Sequence, residues 1–195
     1  MPRARNFDEQ VALERAMEVY WAKGYEGTSI NDLVAAMGIN KGSLYNTFGS
    51  KKDLFTRAFL KYDRERRRTM IAELERLGDS YAAIERLFDW FVAQSEADPD
   101  RKGCLMVNTA LELPNHPADV QEVVSASLED FEAFFERTIR LGQERGQIRA
   151  SLDPSQAAPW LLSQALGLRV LSRGALPLDR LHAIRDQALE AIAPG

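Results

Sequence analysis

The chain has 195 residues, of which 45% are hydrophobic and 28% charged, and this composition excludes a disordered chain. No apolar run approaches the roughly 20 residues that span a bilayer, and no apolar stretch follows the N-terminus to form a secretory signal. The net charge of −4 hides an asymmetry, because residues 1–70 hold 13 Lys and Arg against 9 Asp and Glu, whereas residues 71–195 hold 12 against 20. This division favours an N-terminal part that binds a polyanion.

Four helices are predicted in the first 77 residues, where apolar side chains recur every three or four positions between glycines. Ala and Leu number 48 against 23 for Val, Ile and Thr, which also favours helices over strands. The predicted spans are about 8–23, 29–38, 41–48 and 50–77. The predicted N-caps are Asn6, Ser29, Asn40 and Ser50, each a residue type whose side chain accepts from a helix N-terminus.

The second and third helices, joined by Gly38-Ile39-Asn40, are predicted to form a helix-turn-helix at about residues 29–48. A helical hairpin inside a bundle has the same spacing. The third helix favours the first alternative, because Leu44 and Phe48 are its one apolar pair and its other residues are small or hydrogen-bonding. Such a helix is too short and too polar for a core, and it is typical of a helix presented to a partner.

The remaining chain is predicted to be helical as well, which gives an all-α fold of about nine helices. The five predicted spans are about 80–96, 103–113, 118–144, 154–173 and 178–192. Residues 160–168 are apolar almost all round the helix. A helix of this kind is buried on more than one side, which favours pairing with a second subunit.

The motifs Gly24-Tyr25, Thr28-Ser29, Leu44-Tyr45-Asn46-Thr47-Phe48 and Ser50-Lys51 resemble those of the DNA-binding domain of tetracycline-repressor (TetR) family regulators, over about 55 residues. The resemblance implies a helix-turn-helix DNA-binding domain at residues 6–66 and an effector-binding and dimerisation domain at residues 67–195. It implies a homodimer, paired through the helices 154–173 and 178–192, on a palindromic operator in double-stranded DNA. A small-molecule effector would release this repressor, although activation instead of repression is left open.

The resemblance also implies roles for individual residues. Tyr45 and Lys51 would hold backbone phosphates on either side of the recognition helix. The predicted DNA contacts are the phosphate-binding hydroxyls of Thr28 and Ser29, the base-facing Lys41, Ser43 and Asn46, the small Gly42, and the phosphate-binding Tyr45 and Lys51.

Two further basic segments have alternative interpretations. Arg3 and Arg5 resemble a flexible DNA-contacting arm, but a disordered basic terminus explains them equally well. A run of arginines on the fourth helix, Arg64 and residues 66–68, is another candidate DNA contact. Because the far end of that helix leads away from DNA in the family, we favour a solvated or interdomain role.

The family implies a hydrophobic effector cavity in the second domain. The candidate wall residues are Trp90, Phe91, Cys104, Met106, Phe131, Phe134, Phe135, Trp160 and Gln164. For each of these residues, taken singly, packing in the core is the favoured explanation.

Cys104 is the one cysteine, so it forms no internal disulfide and suits a reducing cytoplasm. The sequence Gly103-Cys104-Leu105 resembles a TetR branch that includes repressors sensing electrophiles or oxidants through a cysteine. Arg101 and Lys102 provide a basic context of the kind that surrounds reactive thiols. The alternative is a small buried apolar residue.

An enzyme is disfavoured by the sequence. His116 and His182 have no Cys or His at metal-ligand spacing, and neither a glycine-rich phosphate loop nor a nucleophile elbow is present. A purely structural helical adaptor leaves the polar third helix unexplained. We therefore expect a regulator with no metal, cofactor or catalytic residue, cytoplasmic and associated with the nucleoid when bound to DNA.

Overall fold

The computed structural model describes residues 7–174 and 176–195. Ten α-helices account for most of these residues, and the described ranges contain no β-strand, which confirms the all-α prediction. The helices are α1 (Glu9–Lys23), α2 (Ile30–Met37), α3 (Lys41–Phe48), α4 (Lys51–Tyr62), α5 (Thr69–Glu75), α6 (Ser80–Glu96), α7 (Leu105–Leu111), α8 (Ala118–Glu144), α9 (Pro154–Leu171) and α10 (Leu178–Ile192).

Helices α4 and α5 are parts of one continuous rod. They are joined through a π-helical segment, Asp63–Arg68, whose flanking residues Tyr62 and Thr69 keep right-handed helical backbone angles. Counted as one rod, they bring the helices of the described residues to the predicted nine. The sequence predicts the rod but not the π-helical segment inside it, a local irregularity often found near functional sites.

Three of the predicted caps are confirmed. Ser29 and Ser50 form capping boxes with the carboxylates three residues further on, and the Asn40 side chain accepts from the Ser43 amide at 2.8 Å. Between α2 and α3, Gly38 adopts the left-handed conformation, with φ of 69°, that makes the tight turn possible.

The predicted cap of α1 is wrong. Asp8 caps this helix, and its carboxylate accepts from the amides of Gln10 and Val11 at 2.8 and 3.2 Å. Asp8 immediately precedes the first helical residue, so it is placed to reach these amides. The predicted cap, Asn6, lies outside the described residues.

Helices α1 to α4 share a small aromatic core. Tyr20, Leu33, Leu44 and Phe55 are almost fully buried in it. The Tyr20 ring meets Phe55 edge to face at 5.0 Å, and its hydroxyl donates to the Lys51 carbonyl at 2.9 Å. Burial, followed by the nearby Tyr25, raises the pKa of Tyr20 well above its usual value, so this hydroxyl remains a donor at neutral pH. The start of α4 is therefore fixed against α1.

The larger helices build a second core, in which α8 packs along α9 and α6 packs against α8 and α10. Phe88, Phe134 and Phe135 are fully buried at its centre. The apolar residues of α8 that recur at helical spacing, including Val124, Phe131 and Ile139, face inward.

A buried ion pair ties the α4–α5 rod to α8. Asp63 accepts from the Arg67 Nε at 2.5 Å and from the Ser127 hydroxyl at 2.8 Å. Arg67 reaches further, to the Asp130 carboxylate at 2.6 Å. Asp63 and Arg67 are only 3% and 6% exposed. This buried pair fixes the rod against the second core.

Contacts from the loops around α7 also join the two cores. The Trp21 indole donates to the Gly103 carbonyl at 3.1 Å. His116 packs its ring on Phe55 and Tyr25, with centroids 5.0 and 5.5 Å away. Burial lowers the pKa of His116, so its ring is neutral at pH 7. The cores therefore meet through aromatic contacts as well as through the α4–α5 rod.

Candidate nucleic-acid interface and ligand cavity

Helix α3 presents a polar face to solvent. Its exposed residues are Lys41, Gly42, Tyr45 and Asn46, with Ser43 half-buried beside them. Leu44 and Phe48, on the inner face, are 0% and 3% exposed and anchor the helix in the core. The sequence prediction of a helix presented to a partner therefore agrees with the geometry.

Lys51 lies at the first position of α4, beside the end of α3. Its Nζ is 4.4 Å from the centroid of the Tyr25 ring, a cation–π contact that the sequence did not reveal. Burial raises the pKa of Tyr25, with Glu26 and Asp53 acting in the same direction, so the ring faces the ammonium group in its neutral form. The contact holds a positive charge next to a helix N-terminus, where anions bind.

Arg57 supports α3 from behind, a role that sequence reasoning missed. Its guanidinium donates to the Thr47 carbonyl at 3.1 Å, pairs with Glu9, and lies 4.8 Å from the centroid of the Phe48 ring. The last turn of α3 is thereby tied to α1 and α4. The sequence gives little sign of this role of Arg57, because its contacts with residues 9 and 47 arise only when the helices pack together.

The two hydroxyls predicted to bind phosphate are already engaged. Thr28 is 2% exposed, and its hydroxyl donates to the Gly24 carbonyl at 2.6 Å, so it is not presented to DNA in this conformation. Ser29 is exposed, but its hydroxyl donates to Asp32 at 2.6 Å in the capping box. The Lys23 ammonium, followed by Ser29, holds the pKa of Asp32 well below its usual range. Both hydroxyls stabilise local structure here.

Two basic segments were candidate DNA contacts, one at the N-terminus and one on the α4–α5 rod. Arg3 and Arg5 lie outside the described residues. On the α4–α5 rod, Arg64, Arg66 and Arg68 are exposed, whereas Arg67 is buried in its ion pair. The cluster therefore combines three exposed arginines with one that ties the rod to α8.

One face of α9 is exposed and carries small or apolar side chains. Trp160 and Val170 are each 39% exposed, and Ser163 and Gly167 lie between them at helical spacing. A Cβ placed on Gly167 meets no atom within 4 Å. The opposite face, which includes Leu161 and Leu168, is fully buried. The all-round apolar character of residues 160–168 thus corresponds to one buried face and one exposed face.

A cavity of about 40 Å³ lies between the α4–α5 rod and helices α6 to α9. Its lining includes five of the predicted effector residues, namely Trp90, Phe91, Cys104, Met106 and Phe131. The sequence missed the remaining lining residues, which are Tyr62, Arg66, Arg67, Met70, Val107, Leu162, Ala165, Leu166 and Arg169.

Four predicted wall residues do not line this cavity. Phe134 and Phe135 are fully buried and contact each other at a centroid distance of 5.6 Å, so they belong to the second core. Trp160 points outward on the exposed face of α9. Gln164 is half-buried and donates to the Ser163 hydroxyl at 3.5 Å. Helical periodicity indicates that such residues are buried but not which space they face.

Cys104 is the N-cap of α7 and lines the cavity. Its sulfur is 3.4 Å from the Tyr62 hydroxyl. Burial, followed by the adjacent Cys104, raises the pKa of Tyr62 well above its usual value, so the hydroxyl is protonated at neutral pH. The basic neighbours are directed elsewhere, since Arg101 donates to the Gly174 carbonyl and Lys102 to the Glu18 carboxylate.

Several possible kinds of site are absent from the residues described. In residues 7–174 and 176–195, no three His, Cys, Asp or Glu side chains are grouped to hold a metal ion. Of the two histidines, His116 is buried between the cores, and His182 places its Nε2 3.1 Å from Glu96 at the surface. Among the same residues, no helix has the length and apolar character needed to cross a membrane.

The chain matches known sequences over most of its length. Residues 12–58 match the family model "Bacterial regulatory proteins, tetR family", and residues 81–192 match "Tetracyclin repressor-like, C-terminal domain". The HTH-type transcriptional regulator YezE of Bacillus subtilis is 34% identical over 98% of this chain and 100% of its own. The HTH-type transcriptional repressor DhaR of Mycobacterium sp. is 31% identical over 95% of this chain and 94% of its own.

Solved structures are similar as well. A cysteine mutant of the TetR family transcriptional regulator CifR, complexed with 26-bp double-strand operator DNA, has a TM-score of 0.82 and 33% identity. That similarity covers 97% of this chain and 99% of the CifR chain. The reduced form of E. coli NemR has a TM-score of 0.84 at 19% identity, covering 95% and 97% of the two chains, and shows the fold alone.

Proposed function

Because the chain belongs to the TetR family and is a DNA-binding transcriptional regulator, we propose that it is a repressor released from its operator by a small-molecule effector. It acts as a homodimer on palindromic double-stranded DNA in the cytoplasm, where it is associated with the nucleoid. The observation that carries this proposal is α3, a helix that is anchored by two buried residues and exposes small or hydrogen-bonding ones, Tyr45 included.

We propose that DNA is contacted by α3 and the start of α4. Lys41, Ser43 and Asn46 face base edges, because lysine suits guanine and asparagine suits adenine. The open backbone at Gly42 lets α3 approach the groove. Tyr45 and Lys51 bind phosphates, and the cation–π contact with Tyr25 orients the Lys51 ammonium. The backbone amides near Ser29 remain a weaker candidate, since the hydroxyls of Thr28 and Ser29 already have partners.

We propose that two copies pair through α9 and α10. The exposed small and apolar face of α9 supports this pairing, because such a face is stabilised by burial against another subunit. The dimer then places two α3 helices in successive major grooves, about 34–36 Å apart. The DNA-binding unit comprises residues 6–66 and the effector and dimerisation unit residues 67–195, with the division inside the π-helical segment.

We propose that the cavity is the effector site. It is lined by the α4–α5 rod, which begins at Lys51, so a bound molecule contacts the same rod that carries a phosphate-binding residue. A volume of about 40 Å³ leaves little room, so an effector favours a state in which the walls separate. The ligand-bound state would space the two α3 helices differently and weaken operator binding.

Lys51→Ala is expected to weaken binding to every duplex alike. It should also flatten the slope of the logarithm of the binding constant against the logarithm of the salt concentration by about one unit per subunit, because one phosphate contact per subunit is lost. Asn46→Ala should instead change preference at one base position. Operators are first selected from random duplexes, and affinities are then measured by fluorescence anisotropy between low and high salt. Arg140→Ala, at an exposed position on α8 outside both α3 and the proposed dimer helices, is the control. An unchanged affinity and salt slope for Lys51→Ala would refute the phosphate assignment.

A second candidate function is sensing of oxidants or electrophiles through Cys104. The position of Cys104 on the cavity wall, 3.4 Å from the Tyr62 hydroxyl, favours it over a thiol buried in the core. Cys104→Ser is expected to bind operator DNA normally but to resist release by peroxide or quinone. Release is followed by anisotropy, with wild-type protein under reducing conditions as the control. If Cys104→Ser is released as readily as the wild type, Cys104 is not the sensor.

A further inference from the structure

His116 is a buried side chain whose two ring nitrogens have no hydrogen-bond partner among the residues that the structure describes. The side chain is 1% exposed. Its backbone is nevertheless held on both sides, because the His116 amide donates to the Leu113 carbonyl at 3.1 Å and the His116 carbonyl accepts from the Gln121 side chain at 2.8 Å. Burial of an unpartnered imidazole costs free energy, so packing alone does not explain a histidine at this position.

The His116 ring lies against the side chain that orients Lys51. It stacks on Phe55 with the ring planes 15° apart, and its centroid is 5.5 Å from that of Tyr25. The Lys51 Nζ is in turn 4.4 Å from the centroid of the same Tyr25 ring. His116 is therefore separated by one side chain from the ammonium group proposed to bind phosphate.

The charged groups that act on the His116 ring are two carboxylates, Glu112 after α7 and Glu26 in the loop between α1 and α2. From α4 and α8 the contacting groups are uncharged, namely the Phe55 ring and the Gln121 amide. Burial lowers the pKa of His116 and outweighs the two carboxylates, which raise it. The ring therefore takes up a proton only below the ordinary histidine pKa of about 6.5.

A proton on His116 would make the aromatic contact unfavourable. The imidazolium would be a buried charge and a second cation against the Tyr25 ring, which already binds the Lys51 ammonium. The Glu112 Oε2 is 4.0 Å from the His116 Nε2, beyond hydrogen-bond distance, and the Glu112 side chain is 46% exposed. A small movement of the ring toward Glu112 would therefore pair the new charge.

We propose that His116 is a positioning residue that makes operator binding depend on pH: the neutral ring holds Tyr25 against Lys51, and the protonated ring moves to Glu112 and releases Tyr25. The ring takes up one proton from solvent in this step, and Lys51 loses the cation–π contact that orients it. The inference rests on the proposed function, since Lys51 is the proposed phosphate contact.

Operator affinity of the full-length protein is measured by fluorescence anisotropy between about pH 8 and pH 5.5, a range that spans the ordinary histidine pKa. The wild type is expected to bind about tenfold or more weakly at the acid end, as a charge-assisted contact is lost in each subunit. The slope of the logarithm of the binding constant against that of the salt concentration should flatten by up to about one unit per subunit. Acid otherwise strengthens DNA binding, because the protein becomes more positive.

Three variants assign the pH dependence, each compared with its own affinity at pH 8. His116→Phe keeps an aromatic ring that cannot be protonated, so it should lose the pH dependence. His182→Gln is the matched control, because it removes the other of the two histidines, and it should keep the pH dependence. Glu112→Gln removes the acceptor for the imidazolium, so it should shift the loss of affinity to lower pH.

A readout without DNA tests the contact itself. The methylene protons next to the Lys51 Nζ should be shifted by the Tyr25 ring current at pH 8 in nuclear magnetic resonance spectra. These signals should move toward ordinary lysine positions over the pH range in which the His116 ring signals titrate. The spectrum of Lys51→Ala identifies them.

A His116→Phe protein that keeps the wild-type pH dependence would overturn the inference, and so would Lys51 signals that stay unchanged while His116 titrates. If His116→Phe does not fold, the wild-type titration and Glu112→Gln still decide. Failure of the proposed function has a different signature, namely a wild-type protein that selects no operator at pH 8. In that case the Lys51 signals still decide whether His116 controls the position of Lys51.

Discussion

Gly167→Arg is expected to give a folded monomer that binds operator DNA about a hundredfold or more weakly than the wild type, because a dimer gains avidity from two half-sites. A side chain at this position enters open space within one chain, since a Cβ on Gly167 meets no atom within 4 Å. Folding should therefore be preserved. In a dimer that pairs through α9, the same side chain would lie between the subunits. Its bulk and charge would separate them.

The mass in solution and the operator affinity are measured together for this variant. Light scattering should give the 22.0 kDa of one chain, with an unchanged far-ultraviolet circular dichroism spectrum. Leu141→Arg is the matched control, because Leu141 is 40% exposed on α8, away from the α9 face. It should remain a dimer with normal affinity. A Gly167→Arg protein that is still dimeric would exclude α9 from the subunit interface.

Asp63→Asn is expected to lower the free energy of unfolding by about 3 kcal/mol, because it leaves the buried Arg67 without its nearest counter-charge. For a chain of this size, that loss lowers Tm by roughly 6–12 °C. Asp130→Asn is the matched control, since it removes the other partner of Arg67 but lies at an exposed position. In Asp130→Asn the free energy of unfolding should fall by less than about 1 kcal/mol. Similar losses in both variants would show that burial does not govern the strength of this network.

The ion pair between Asp63 and Arg67 also predicts that the free energy of unfolding depends on pH. Burial by itself raises the pKa of Asp63, but hydrogen bonds from Arg67 and Ser127 outweigh it and leave the pKa below its usual value. The stabilisation is therefore complete above the ordinary aspartate pKa of about 4 and is lost as the pH falls through the lower folded value. Urea unfolding between neutral pH and about pH 3 should show the wild type and Asp63→Asn converging only in acid.

The DNA-reading part of the molecule was largely predictable because its signals are local. Ser29 and Ser50 each stand three residues before a carboxylate, and the capping box needs no information beyond that spacing. The cap of α1 was missed because Asn6 and Asp8 are both able to cap, and only the actual helix start decides between them. Arg57 was missed because its partners are distant in the chain.

The cavity was only partly predictable for a similar reason. An apolar periodicity shows that Phe131 and Phe134 are buried, but the cavity borders only the first of them. Arg169 does leave a signal, since it is a single charge in the otherwise apolar or uncharged segment 157–171. Its meaning depends on carbonyls 78 and 66 residues away, and their positions follow from tertiary packing. The π-helical segment has no comparable sequence signature.

Because the α4–α5 rod is continuous from Lys51 onward, a tilt of the rod near the cavity would displace Lys51 at its other end. Lys51 and Tyr62 are the first and last residues of α4, so about 16 Å of helix separates the proposed phosphate contact from the cavity. A tilt of about 5° at Tyr62 displaces Lys51 by about 1.5 Å at that arm length. Two subunits tilting in opposite senses change the separation of their recognition helices by about 3 Å, nearly a tenth of the half-site spacing. If the cavity is the effector site as proposed, a few atoms that enter it would change the spacing of the two recognition helices enough to mismatch successive major grooves.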